Sequence, residues 1–164
     1  MHADKIYEEF FGARWYQIKN AILQNLGKVY RYNRFCKEFA KLPIGSYSEN
    51  GLLEEKDETG LLKHYYLDKA SIIAALLLPI KTNDVVLDAC AAPGGKSLIL
   101  AEQLIPHKGT LILNEISANR RKRLKEVIKH YIPQTWQDQI KITAYNTTQI
   151  GYFQKNYYDK ILLD

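Results

Sequence analysis

In the N-terminal third of the chain, apolar residues with helical spacing are followed by a segment whose composition is typical of turns. Apolar residues recur at roughly every 3.6 positions, which predicts an amphipathic helix that ends near Gly27. The residues on its apolar face are Phe11, Trp15, Ile18, Ile22 and Leu26. A second helix is predicted over residues 33–41, before Pro43, and the polar, turn-rich residues 45–60 predict a loop or linker. We therefore predict a helical N-terminal extension over residues 1–61.

Short apolar runs alternate with helical segments from residue 62 onward, and we predict a domain over residues 62–164. The predicted strands cover residues 85–88, 110–113, 140–145 and 160–163. Helices are predicted over residues 71–78 and 97–104, and a third begins after Ser117, which can cap it. The apolar face of that third helix consists of Leu124, Val127, Ile128 and Tyr131. This alternation indicates an α/β fold with a doubly wound parallel sheet.

Composition narrows the class of protein without deciding its function. The 164 residues carry a net charge of +5 and twelve tyrosines, a balance that permits nucleic-acid binding. Cys36 and Cys90 fit neither a disulfide framework nor a zinc site, and we expect no metal. The longest apolar run, residues 72–80, is too short to cross a bilayer, and the N-terminus resembles no signal or transit peptide. We therefore expect a cytoplasmic protein.

A loop of small residues and glycines follows the first strand of the predicted sheet. It consists of Asp88, Ala89, Cys90, Ala91, Ala92, Pro93, Gly94, Gly95, Lys96 and Ser97. Such a loop lies where open α/β sheets bind ligands, and its glycines let the backbone approach a ligand closely. A phosphate-binding P-loop fits poorly because Cys90 replaces its first glycine, and the GxGxxG dinucleotide fingerprint is absent. The alternative without a ligand is a tight turn.

Three polar residues follow later strands at the same edge of the predicted sheet. Glu115 ends the second strand, where an acidic group can hold ribose hydroxyls or cap the next helix. Asn146 follows the third strand and either binds an adenine edge or holds a turn. Asp164 ends the fourth strand. Together these positions make the sheet edge the candidate ligand site.

The loop at residues 88–97 resembles the first motif of the RsmB/NOP/Sun family of RNA cytosine-5 methyltransferases. Residues 114–117 with Arg120 resemble the acidic ribose-binding element of the family, and residues 66–71 resemble the segment before its first motif. Residues 159–164 resemble the strand that leads into its Asp-Ala-Pro-Cys motif. The resemblance covers residues 62–164 well and residues 1–61 loosely. The sequence departs from the family at Glu115 and Asn146, where Asp is commoner, and at Leu67, where Gln is usual.

This resemblance implies a Rossmann-like methyltransferase fold that binds S-adenosyl-L-methionine (SAM) and methylates C5 of cytosine in rRNA or tRNA. The residues implied around the methionine and ribose parts of SAM are Cys90, Ala91, Ala92, Pro93, Gly94, Gly95 and Lys96. Glu115 would take the ribose hydroxyls, Asn146 would face the adenine, and Asp164 would lie near the methyl donor and the target base. The four predicted strands match the first part of a seven-stranded sheet. We therefore expect an incomplete domain of a longer enzyme that is monomeric at full length.

No catalytic residue is predicted within the 164 residues. The family attacks C6 of cytosine with a cysteine thiolate because C5 is a poor nucleophile, and a second cysteine assists product release. The resemblance places both cysteines beyond residue 164, so we expect no methyltransferase activity from this chain alone. Cys90 would be a binding-loop residue or a small buried residue, and Cys36 matches no nucleophile of the family.

Two groups of basic residues are candidates for RNA contact. The first crowds the start of a predicted helix and consists of Arg120, Arg121, Lys122, Arg123 and Lys125. It forms either a phosphate-contacting patch or a solvated helix face. The second group, at residues 30–34, contributes Arg31 and Arg34, with packing as its alternative. An alternative to the methyltransferase hypothesis is a non-catalytic RNA-binding or assembly module, and a nicotinamide-dependent oxidoreductase is disfavoured by the missing GxGxxG spacing.

Overall fold

Two N-terminal helices precede the sheets in the computed structural model, which describes residues 2–23 and 27–164. They are α1 (His2–Phe11) and α2 (Arg14–Leu23), so the predicted N-terminal helical segment is confirmed but consists of two helices. The break lies at Gly12, whose φ of 54° is one that glycine adopts without strain. The rings of Tyr7 and Trp15 stack across the break, with centroids 4.6 Å apart. Leu26, the last residue of the predicted apolar face, lies outside the described residues.

A three-stranded antiparallel sheet follows the two helices. Its strands are β1 (Lys28–Tyr32), β2 (Tyr47–Ser48) and β3 (His64–Asp68), in the order β2-β1-β3. β1 pairs with β3 over its whole length, from Lys28 opposite Asp68 to Tyr32 opposite His64. Residues from both sides of the predicted division between 61 and 62 therefore share one sheet, and the division into two domains stays a prediction.

No α-helix forms over residues 33–41, where the sequence predicts one. The segment contains a single 3-10 turn at Lys37–Phe39. The side chain of Asn33 explains the difference, because its Nδ2 donates to the carbonyls of Leu62 and Tyr131, each at 2.9 Å. A side chain that bonds distant backbone groups competes with local helix formation. The predicted helix is wrong because a local pattern within residues 33–41 cannot show these distant partners.

The predicted α/β core is confirmed by four parallel strands in the order β6-β5-β4-β7. The strands are β4 (Val85–Asp88), β5 (Thr110–Asn114), β6 (Ile140–Thr143) and β7 (Lys160–Leu162). The helices of this part are α3 (Lys69–Leu76), α4 (Gly95–Leu104), α5 (Ala118–Tyr131) and α6 (Ile150–Phe153). Because the strands are parallel, the loops that follow β4, β5 and β6 emerge at one edge of the sheet.

The main hydrophobic core packs α4 and α5 against one face of the parallel sheet. The fully buried apolar side chains of α4 are Leu98, Ile99, Leu100, Ala101 and Leu104. In α5, Leu124, Ile128 and Tyr131 are buried and Val127 packs against them, which confirms the predicted apolar face. A smaller apolar cluster consists of the strand residues Leu87 and Ile112 together with Ala89 and Ile150. Within residues 2–23 and 27–164, no helix combines the length and apolarity needed to cross a membrane.

Candidate functional site

The loop at residues 88–97 lies at the carboxyl end of the central strand β4, as the sequence predicts. Backbone hydrogen bonds tie it to both neighbouring strands. The Ala89 N–H donates to the Leu162 carbonyl at 2.8 Å, and the Ala91 N–H donates to the Asn114 carbonyl at 2.9 Å. The loop is therefore fixed from both sides before α4 begins at Gly95.

The two adjacent glycines of the loop are required by its packing. Gly94 has a φ of 122°, and a Cβ there would lie 2.9 Å from Cγ1 of Val127 on α5. A Cβ on Gly95 would lie 2.6 Å from Cδ1 of Leu67 on β3. Glycine therefore lets the start of α4 fit between α5 and β3. The first N–H groups of a helix have no intrahelical partner, so the start of α4 presents donors to the adjoining space.

Asp88 joins the end of β4 to α4. Its carboxyl group is buried and accepts a hydrogen bond from Ser97 Oγ at 2.7 Å. Burial raises the pKa of Asp88 to about 6, because desolvation penalises the charged form more than the Ser97 hydrogen bond favours it. Asp88 and Ser97 therefore link the two ends of the loop through one short contact.

A cleft of about 360 Å³ opens beside the loop, which is within the size range of small-molecule sites. The loop residues that line it are Cys90, Ala91, Ala92, Pro93, Gly95 and Lys96. Lys96 forms an ion pair with Asp164, which also lines the cleft. Cys90 is exposed, so the alternative of a small buried residue is wrong for it. The structure thus brings together the loop and Asp164, which the sequence placed at one edge.

Glu115 lies at the end of β5 but makes protein contacts that the sequence left open. Its side chain is buried, and its Oε1 accepts a hydrogen bond from the Ser117 N–H at 2.8 Å. Its Oε2 lies 3.4 Å from Nε of Arg120, whose Nη2 donates to the Ala92 carbonyl at 2.6 Å. Glu115 therefore has the helix-capping contact, and Arg120 links it to the loop. The ribose-binding role of Glu115 stays a prediction.

Asn146 is exposed and holds a turn. Its Oδ1 accepts hydrogen bonds from the Thr148 N–H at 3.1 Å and from Thr148 Oγ1 at 2.8 Å. This is one of the two roles that the sequence allowed, and adenine binding stays a prediction. Sequence reasoning missed Asn114, which is buried and donates from Nδ2 to the carbonyls of Ala89 and Tyr145. An asparagine at a strand end was visible in the sequence, but its burial was not.

The basic residues predicted to contact RNA have different surroundings. Arg121 Nη1 donates to the carbonyls of Glu115 and Ile116, at 2.7 and 3.0 Å, so it holds the turn before α5. Arg123 is exposed beside Ala92 and Pro93. The RNA-contacting role of Arg120, Arg121 and Arg123 stays a prediction.

Arg31 requires a correction, because its side chain is 0% exposed and pairs with Glu102. It lies in the protein interior and has no surface that RNA could contact. Arg34 is half-buried and donates from Nη2 to the Ala40 carbonyl at 2.8 Å. Its role in RNA contact stays a prediction.

Cys36 is buried beneath the small sheet, and its Sγ lies 3.8 Å from the Leu62 carbonyl. Burial raises the pKa of the Cys36 thiol to about 12, so it is a poor source of thiolate. In the part of the chain that the structure describes, no group of three or more His, Cys, Asp or Glu side chains is arranged to hold a metal ion.

The chain is similar to a known protein family and to curated proteins. A family model described as 16S rRNA methyltransferase RsmB/F matches residues 75–164. The mitochondrial tRNA (cytosine(34)-C(5))-methyltransferase of Mus musculus is 38% identical over 111 residues, which cover 67% of this chain and 31% of that protein. The 5-cytosine rRNA methyltransferase NSUN4 of Bos taurus is 36% identical over 107 residues, covering 64% of this chain and 27% of that protein. The chain therefore spans less than a third of these two curated relatives.

Solved structures share the fold. The structure of NSun6 from Pyrococcus horikoshii with SFG matches 78% of this chain and 34% of that chain, with a TM-score of 0.58 and 27% identity. A methyltransferase homolog protein from the same organism matches 94% of this chain and 55% of that chain, with a TM-score of 0.67 and 19% identity. The RsmB/F model covers more than half of the chain, including the loop, Glu115 and Asp164. This chain therefore belongs to the RsmB/F methyltransferase family.

Proposed function

We propose that this chain forms the SAM-binding half of an RNA cytosine-5 methyltransferase. The observation that carries the proposal is the position of the loop at residues 90–96, which borders a cleft at the carboxyl edge of the parallel sheet. Glu115 follows the neighbouring strand, and Asp164 pairs with Lys96 of the loop. Relatives named as tRNA and rRNA methyltransferases support RNA of either class as the substrate.

The residues that line the cleft, together with polar residues that follow the neighbouring strands, suit a nucleoside cofactor with a positive centre. SAM supplies an electrophilic methyl group on a cationic sulfur. Asp164 would face that charge, while Ala91 and Ala92 leave room beside the start of α4. Glu115 would hold ribose hydroxyls with Oε2, which also pairs with Arg120, because Oε1 is bonded to the Ser117 N–H. Asn146 would offer its Nδ2 amide to the adenine, because its Oδ1 holds the turn.

Neither cysteine of the chain is suited to attack the target base. Cytosine C5 becomes nucleophilic only after a thiolate has added to C6, so the reaction needs an accessible thiolate beside the base. Cys36 is buried with a pKa of about 12, and Cys90 belongs to the proposed cofactor loop. We therefore propose that the 164 residues bind SAM but do not methylate RNA unless another segment or chain supplies the nucleophile.

Calorimetry with S-adenosylhomocysteine tests the cofactor proposal. The wild-type chain should bind, and Glu115→Gln and Gly94→Ala should each weaken binding by about tenfold or more, the loss expected for a charge-assisted hydrogen bond or a displaced backbone. Gly151→Ala is the matched control, because nothing lies within 4 Å of a Cβ at that position. Thermal unfolding of each variant separates lost binding from lost folding. Undiminished binding by both test variants would contradict the proposal.

A second candidate function is a non-catalytic RNA-binding or assembly module. The net charge of +5 and the burial of Cys36 favour it. RNA affinity that falls steeply with salt, in a chain that binds neither SAM nor S-adenosylhomocysteine, would support this alternative.

A further inference from the structure

The outer face of the small antiparallel sheet carries aromatic cross-strand pairs that the cofactor proposal does not use. Tyr30 lies opposite Tyr66, with ring centroids 5.0 Å apart, and Tyr32 lies opposite His64. The other face of β1 is buried in the core through Val29 and Arg31. Packing against Phe39 explains Tyr32 and the buried His64, but it does not explain the exposed ring of Tyr66.

One end of this face is covered and the other is open. The Gly51 backbone lies against Tyr30, since a Cβ there would be 2.7 Å from Tyr30 Cγ. The Leu52 carbonyl lies 3.3 Å from Nδ1 of His64. Tyr66, in contrast, is 44% exposed. The covering loop thus leaves a single outward ring available beside the cleft.

Tyr66 belongs to the rim of the proposed cofactor cleft and has a lysine over its ring. The Nζ of Lys28 lies over the face of the Tyr66 ring, 5.6 Å from the ring centroid. Both side chains line the cleft together with Cys90, Lys96 and Asp164. We call this pair the Lys28–Tyr66 platform. It is continuous with the place where the methyl donor is proposed to lie.

We propose that the Lys28–Tyr66 platform binds a single-stranded segment of the RNA next to the target base. This inference rests on the proposed function, because it assigns a substrate contact to the same cleft. The exposed ring and the ammonium group over it match the two parts of a nucleotide, a flat base and an anionic phosphate. A base takes the place of the ammonium group on the ring, and Lys28 moves to the phosphate. Stacking requires that the base has a free face, so unpaired RNA fits and a regular duplex does not.

The charge of Lys28 is available for a phosphate. Although Asp68 lies opposite it in the strand register, Lys28 forms no ion pair with the carboxylates of residues 4–23 and 27–164. Lys96, also at the cleft, is paired with Asp164. Arg31, a sequence candidate for RNA contact with packing as its alternative, is buried. The cation that this part of the small sheet offers to RNA is therefore Lys28.

The chain contains a matched control on the opposite face of the same sheet. Tyr47 is 43% exposed, and Nζ of Lys69 lies 5.2 Å from its ring centroid. Tyr47 lies opposite the inward-facing Arg31 rather than Tyr30, and it does not line the cleft. Lys69 is also neutralised by Glu49 at 2.8 Å. Tyr47 therefore has the same ring and a lysine neighbour, but it lies away from the cleft and is not expected to bind RNA.

Fluorescence anisotropy with a short labelled single-stranded RNA tests the platform in the full 164-residue chain. Tyr66→Ala should weaken binding by about tenfold, the effect of losing one stacked base, while Tyr66→Phe should keep most of the affinity. Lys28→Ala should reduce the slope of the logarithm of the binding constant against the logarithm of the salt concentration by about 0.7. This is the contribution of one phosphate contact in single-stranded RNA. Tyr47→Ala should bind like the wild type, and the same RNA in duplex form should bind all variants equally.

The outcomes separate this inference from the proposed function. Equal RNA affinity of Tyr66→Ala and wild type, equal losses in Tyr66→Ala and Tyr47→Ala, or no RNA binding by the wild type would each overturn the platform. Calorimetry of the wild type with S-adenosylhomocysteine is the separate readout for the cofactor proposal. Circular dichroism melting of each variant confirms that a loss of affinity does not come from unfolding.

Discussion

Arg31 and Glu102 form an ion pair that is buried between β1 and α4. Nη1 of Arg31 lies 2.6 Å from Oε1 of Glu102, and the two side chains are 0% and 1% exposed. The same Oε1 accepts a hydrogen bond from the Arg34 N–H at 3.0 Å. The pair thus fastens the small antiparallel sheet to the central helix of the α/β part.

Breaking this pair from one side should destabilise the protein strongly. Arg31→Met leaves a buried carboxylate, and Glu102→Gln leaves a buried guanidinium, so each should lower the free energy of unfolding by about 3–5 kcal/mol. The double variant removes both charges and keeps an acceptor for Arg34, so it should lose less than the sum of the single variants. Urea denaturation measures all three. If each single variant lowers the free energy of unfolding by less than about 1 kcal/mol, as for exposed ion pairs, the buried arrangement is contradicted.

Gly94→Ala should reduce stability, whereas Gly151→Ala should not. Gly94 has a φ of 122° and no room for a Cβ beside Val127, so we expect a loss of about 1–3 kcal/mol. Gly151 has open space around it and lies in a short helix, so alanine should change stability by no more than about 1 kcal/mol, in the stabilising direction. Chemical denaturation of both variants checks the difference, and equal effects would show that the loop tolerates a side chain.

Asp88 should contribute a loss of stability as the pH rises from about 4 to about 6. Burial raises its pKa from 3.8 to about 6, so the folded state binds the proton more tightly than the unfolded state across this window. Deprotonation therefore costs stability, on the order of 3 kcal/mol by pH 7. Asp88→Asn should remove this part of the pH dependence and keep an acceptor for Ser97. If the free energies of unfolding of wild type and variant change in parallel between pH 4 and pH 7, the prediction is contradicted.

The two cysteines should react at very different rates in the folded protein. Cys90 is exposed at the cleft, whereas Cys36 is buried with a pKa of about 12. Iodoacetamide should therefore label Cys90 quickly and Cys36 only after unfolding, as mass spectrometry of the peptides can show. S-adenosylhomocysteine should slow the labelling of Cys90. Cys90→Ser serves as the control and should remove the fast phase, while fast labelling of Cys36 would contradict its burial.

Local signals in the sequence determined the α/β part and the loop. Strand and helix periods, the Ser117 cap and the glycines depend on neighbours a few residues away, so the pattern alone predicts β4, β5, α5 and the loop between β4 and α4. The same local view predicted a helix at residues 33–41, which is wrong, and it left Arg31 open between RNA contact and packing, of which the structure shows packing.

The tertiary structure decided those features that depend on contacts between residues far apart in the sequence. Asn33 reaches Tyr131, 98 positions away, and Arg31 reaches Glu102, 71 positions away, so no local window could reveal either contact. The same holds for the link from Glu115 through Arg120 to Ala92, and for the meeting of Lys28 and Tyr66 at the cleft. The sequence determined which loop is available for a cofactor, because that depends on a strand, a turn and a helix in succession. The fold decided which charges and rings surround that loop, because burial and pairing arise only when distant segments pack together.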